Sequence, residues 1–189
     1  MNIADKIKDA LKNNSSLDEY LDQLDSIDRE SEIELKEEIL KKLGDIDTKA
    51  LMIGYFLPDT RYEKALLDYN EAELDSTQII HWMLLLGKIS SKNAFDRIRP
   101  YTETGFFHQA FIAMANINIE NTMGLFDKFL TEHAGIYSTK EGTYKHDSGY
   151  NTLICLLEDH NEAAEFAKGF SAEGAKKNLI DDALQNYRL

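Results

Sequence analysis

The sequence predicts an all-α protein, on three observations. Two prolines in 189 residues leave long stretches free to be helical, because an interior proline costs a helix about 3 kcal/mol. Valine, a strong strand former, is absent, although Ile, Tyr and Phe remain plentiful. Helix-start signals are frequent. Ser16 with Glu19, Ser31 with Glu34 and Thr60 with Glu63 have the spacing of a capping box, in which a hydroxyl and a carboxylate satisfy orphan amides at a helix N-terminus. Asp75 with Gln78 is a looser version. Each lies just ahead of apolar residues at helical spacing.

Taken in order, residues 1–45 predict two or three amphipathic helices. Ile3, Ile7 and Leu11 mark one stripe, Leu17, Leu21 and Leu24 a second, and Ile39, Leu40 and Leu43 a third. From residue 46 a weak repeat begins. Leu51, Leu57, Ala65, Leu66 and Tyr69 recur 29 positions later as Ile80, Leu86, Ala94, Phe95 and Ile98. A shift of 28 carries Met83, Leu86, Phe95 and Ile98 onto Phe111, Met114, Met123 and Phe126. Each unit reads as a helix, a break and a second helix. The breaks fall at Pro58-Asp59, Gly87-Lys88 and Asn116-Ile117-Asn118. A fourth copy at Leu153 to Phe170 follows an insertion, and Leu179, Ala183 and Tyr187 suggest a final capping helix. The chain thus reads as a single helical domain in four parts: acidic N-terminal helices over 1–45, three helical pairs over 46–132, a loop insertion over 133–150, and a final pair with its capping helix over 151–189.

Over residues 46–170 these pairs, with a first helix rich in bulky apolar residues and a second opening near Ala94 or Ala163, resemble HEAT-like helical repeats. The resemblance implies a right-handed α-α superhelix, in which stacked pairs bury a continuous core. An irregular helical bundle is the other reading of the same spacing. Repeats of this class usually act as curved binding surfaces.

Charge narrows the function. With 34 acids against 21 bases, the chain carries a formal net charge of −13, which argues against nucleic acid, since phosphate binding needs clustered cations. An apolar content of 43% is too high for a disordered acidic tail. One cysteine excludes a disulfide framework and suits a reducing compartment. The longest apolar run, Ile79 to Leu86, is interrupted by His81 and falls far short of the roughly 20 residues needed to span a bilayer. With no apolar secretory region at its start, the chain is expected to be cytoplasmic and away from membranes.

No catalytic constellation emerges. The histidines lack the i, i+4 pairing that places two zinc ligands on one helix face. His133, His146 and His160, with Asp147, Glu158 and Asp159 nearby, are the only candidates for a mixed metal site. Cys155 sits in the apolar run Thr152 to Leu157, where burial raises a thiol pKa. Neither a serine elbow nor a glycine-rich phosphate cradle is present. The expectation is no enzyme, no metal and no cofactor.

Binding candidates remain. Asp18, Asp22 and Asp25 lie in the acidic N-terminal segment, where residues 1–50 carry 14 acids and 8 bases. Tyr137, Tyr144 and Tyr150 punctuate the insertion, and tyrosine offers rigid contact area with a polar tip. Lys92, Arg97 and Arg99 form a local basic stripe in an acidic chain, suited to a carboxylate-rich segment or a phosphate. In general character the chain is similar to bacterial toxin-immunity proteins, where an acidic surface steers a cationic nuclease. That likeness implies a stoichiometric, non-catalytic inhibitor with a cationic protein partner. The alternative is a helical-repeat scaffold or regulator holding an acidic peptide on its concave face through the basic stripe. A third reading is an enzyme built on the histidines around the insertion.

Overall fold

The computed structural model describes residues 2–13, 16–133 and 148–187. The described residues are helical and contain no strand, so the protein is all-α. They fall into two compact units, Met1–Ser91 and Lys92–Leu189.

The first unit holds α1 (Ile3–Lys12), α2 (Asp18–Leu21), α3 (Arg29–Leu43), α4 (Thr48–Phe56), α5 (Tyr62–Leu67) and α6 (Ser76–Lys88). Helix α3 packs against α1, α4 and α5, while α6 packs against α4 and α5. The apolar stripe of α3 is Leu35, Ile39 and Leu43, all fully buried. At the centre of the unit the indole of Trp82 on α6 donates to the Leu66 carbonyl of α5 at 2.9 Å. A Cβ on Gly54 would stand 3.0 Å from Leu85 Cδ2, so the glycine permits the close approach of α4 to α6. The Tyr69 hydroxyl donates to the carbonyl of Leu43, where α3 ends.

Helix starts follow aspartate more than serine or threonine. Asp28 accepts from the amides of Glu30 and Ser31, and Asp47 from those of Lys49 and Ala50. The looser pair, Asp75 with Gln78, forms a true capping box, as does Asn2 with Asp5. Of the hydroxyl boxes expected from sequence, those at Ser31 and Thr60 do not cap. Helix α3 opens at Arg29 with Asp28 as its N-cap, and α5 begins after Arg61 without a side-chain cap. An earlier carboxylate takes the amides in the first case, because it accepts two at once.

The second unit holds α7 (Phe95–Ile98), flanked by 3-10 turns at Lys92–Ala94 and Arg99–Glu103, then α8 (Phe107–Ile117), α9 (Ile119–Glu132), α10 (Ser148–Asp159), α11 (Ala163–Lys168) and α12 (Gly174–Asn186). Helix α8 packs on α7, α9 and α10, α9 packs on α11, and α12 packs on α10 and α11. Helix α8 thus touches α10, and α9 touches α11. Phe111, Phe126 and Phe129 form an aromatic cluster with centroids 4.9–6.0 Å apart, and Leu153, Leu156, Ala163, Ala167, Leu179 and Ala183 extend it.

Of the expected breaks, Pro58-Asp59 separates α4 from α5, and Asn118 alone separates α8 from α9. Gly87-Lys88 is still helical. The chain leaves α6 at Ser90, at φ 53°, with Ser91 and Ser90 donating to the carbonyls of Leu86 and Gly87. This is a Schellman turn that uses serine where glycine is usual.

Candidate functional site

Two surfaces qualify, one in each unit. In the first unit the exposed face of α3 carries Glu30, Ile33, Glu34 and Glu37, a spacing that places them on one side of the helix. Ile33 is 52% exposed, unusual for a large apolar side chain in this protein. Glu34 is held by Lys8 at 2.5 Å and Glu37 by Arg61. Arg61 also binds Asp59, and the guanidinium holds that carboxyl below the ordinary carboxylate range. Asp22, Asp25 and Glu30 are exposed, and their carboxylates make no hydrogen bond or ion pair among the described residues. Asp18 lies in α2 beside them in sequence. The unit as a whole carries 20 acids and 11 bases, a net −9 of the total −13.

In the second unit a cleft of about 1080 Å³ runs between α7, α9 and α11. Its floor is apolar: Phe95, Ile117, Leu125, Phe166 and Phe170 all line it half-buried. Lys92 and Arg99 line it from the α7 side, with Asp96 between them. Asp96 lies in α7 and the two cations in the 3-10 turns that flank it, and all three line the cleft. Across the cleft stand Glu120 and Asp127 of α9 and Glu165 of α11. Two of these are already neutralised: Asp127 by Lys176 at 2.5 Å and Glu165 by Lys168. Arg97, the third residue of the basic stripe, is half-buried and outside the cleft lining.

Gly124 sits in the middle of the 14-residue α9 and lines the cleft. Glycine there costs about 0.5–1 kcal/mol relative to alanine. A Cβ at this position would meet nothing within 4 Å, so neither packing nor backbone conformation requires it. It borders open space in the cleft. Gly124, Asp96, Glu120 and the phenylalanine floor were not legible as a site in the sequence, though an isolated glycine within a helical pattern was a usable signal.

No protein family, curated protein or solved structure matches this chain.

The remaining candidates separate by burial. Tyr150 belongs to α10 and the core: it is 7% exposed, and its hydroxyl accepts from Asn186 Nδ2 at 3.0 Å. Its ring packs inward because α10 starts at Ser148, earlier than the insertion expected over 133–150. Tyr137 and Tyr144 lie outside the described residues, as do His146 and Asp147. His108 Nδ1 is 2.9 Å from the hydroxyl of the buried Thr152, and burial holds its pKa below the ordinary value. Burial does the same to His81. His133 lies 3.3 Å from Glu103. Burial, with help from Asp159 and Glu158, pushes the Cys155 thiol up and so disfavours its thiolate. Among the described residues no group of three or more His, Cys, Asp and Glu is placed to hold a metal ion. No described helix is long and apolar enough to cross a membrane.

Proposed function

We propose that the protein is a non-catalytic, stoichiometric protein-binding module whose partner is cationic, of the kind that a toxin-neutralising protein binds. The observation that carries this reading is the acidic first unit. It holds most of the net charge, and it presents Asp22, Asp25 and Glu30 with no described counter-ion. Exposed carboxylates without local partners raise the local concentration of a basic protein and speed its encounter by roughly 10- to 1000-fold at low salt. Ile33, exposed among Glu30, Glu34 and Glu37, supplies an apolar contact within a charged rim, the usual anatomy of a protein interface. Asp18 and the tyrosines Tyr137 and Tyr144 extend the same reading, and a cytoplasmic setting suits it.

Capture from a lysate of the source cells tests the proposal. The wild-type chain should retain one basic protein in a one-to-one ratio. The variant Asp22→Asn/Asp25→Asn/Glu30→Gln, confirmed folded by circular dichroism, should lose most of it. Equal capture by both forms, or capture of no basic protein, counts against the reading.

A further inference from the structure

An acidic protein usually satisfies its cations locally, and most of the second unit obeys. Lys128, Lys168, Lys176 and Lys177 each hold a carboxylate, and Arg97 also has a partner. Lys92 and Arg99 are the exceptions among the described cations of this unit, and both line the same cleft. Asp96, between them, likewise has no hydrogen bond or ion pair among the described residues. One wall of the cleft therefore reads cation, anion, cation. Below it lie Phe95, Phe166 and Phe170, and Gly124 leaves the space above α9 unfilled at a cost to that helix.

We infer that this cleft binds an amphipathic helix of a protein partner whose contact face runs acid, base, acid over the same spacing, with a bulky apolar side chain seated on the phenylalanines. Size admits a peptide: about 1080 Å³ is at the upper end of the roughly 300–1,000 Å³ typical of small-molecule pockets. Charge geometry favours one. Lys92 and Arg99 are seven residues apart on a stretch of mixed 3-10 and α geometry, about 10–14 Å along its axis, so a single phosphate or carboxylate fits the pattern poorly. A purely anionic ligand would also face Asp96 unpaired. A helix laid in a groove answers each charge of the α7 wall in turn and uses the apolar floor. The inference is independent of the acidic face of the first unit.

The test uses the full-length, 15N-labelled chain and two synthetic helical peptides. Each carries leucines on the face that meets the floor. One reads Glu-x-x-x-Lys-x-x-Glu, the other Lys-x-x-x-Glu-x-x-Lys. The first should produce saturable shifts at the Gly124, Phe95 and Phe166 amides and bind at least about fivefold tighter than the second, the size of a modest difference in ion pairing. Lys92→Glu/Arg99→Glu, a surface change that leaves the core intact, should invert that preference. Gly124→Phe should fill the cleft and abolish both sets of shifts. Equal binding of the two peptides, no saturable shift, or displacement of the first peptide by inorganic phosphate overturns the inference. Asp22→Asn/Asp25→Asn/Glu30→Gln should leave peptide binding unchanged, which separates a failure here from a failure of the acidic-face reading.

Discussion

At the scale of single residues, the second unit depends on a buried lysine. Lys176 is 6% exposed, and its ammonium donates to the Asp127 carboxylate and carbonyl, the Thr131 hydroxyl and the Ser171 carbonyl, at 2.5–3.1 Å. All three ammonium protons find acceptors, one of them shared between two, which offsets part of the cost of burying the charge. Lys176→Met should fit the space yet strand the Asp127 carboxylate, destabilising the unit by about 2–4 kcal/mol. A urea melt followed by circular dichroism checks this; a loss below 1 kcal/mol would show the pair to be a surface one. His81 and His108 set a pH dependence. Burial holds both pKa values below 6.5 in the folded chain, so the unfolded chain takes up protons first. Their contribution is complete above about pH 6.5 and declines as pH falls from there toward the folded values. His108→Gln should flatten that slope in melts between pH 7 and pH 5. An unchanged slope would place the effect elsewhere. A second decline belongs to Asp28 and Asp59, both held below 3.8 by hydrogen bonds, and begins only as pH drops through about 3.8.

At the scale of elements, capping decides where helices begin. Asp75→Ala removes the reciprocal pair with Gln78 at the start of α6 and should cost about 1 kcal/mol. The single tryptophan, Trp82, lies one turn further on in α6, so its fluorescence reads that loss. Gly124→Ala should do the opposite and stabilise α9 by about 0.5–1 kcal/mol. A loss of stability there would mean that the glycine serves packing after all. These two positions show what was legible in the sequence. The long periodic segments α3, α6, α8, α9 and α10 could be read from apolar spacing, because a buried stripe repeats every three or four residues. Helix ends were harder. Ser31 and Thr60 have the right spacing to an acid, but Asp28 offers two acceptor oxygens three residues sooner, and Asp59 is drawn into a turn with Arg61. Spacing alone does not rank competing acceptors. The C-terminal stop at Ser90 was hidden for a related reason: Gly87 attracts the eye, whereas the left-handed position falls on serine.

At the scale of the whole molecule, the charge is divided unevenly, −9 over residues 1–91 and −4 over 92–189. That asymmetry was legible because charge is additive along the chain. The cleft was not, because its walls come from α7, α9 and α11, far apart in the chain, and only packing brings them together. Lys92 and Arg99 were visible as a basic stripe, but the neutralisation of Asp127 and Glu165 by Lys176 and Lys168 was not. The place of Tyr150 in the core was hidden for the converse reason: the sequence around it says nothing of the helices that α10 joins. If carboxylates of the first unit guide a cationic protein, association should respond to ionic strength more than dissociation does, since steering acts on encounter. Stopped-flow association of the captured basic partner with the full-length chain tests this most directly. The rate constant should fall at least about tenfold as the screening length shrinks from about 30 Å to about 8 Å, and Asp22→Asn/Asp25→Asn/Glu30→Gln should flatten the dependence. A rate that stays level across that range, or a variant as salt-sensitive as the wild type, would contradict the account.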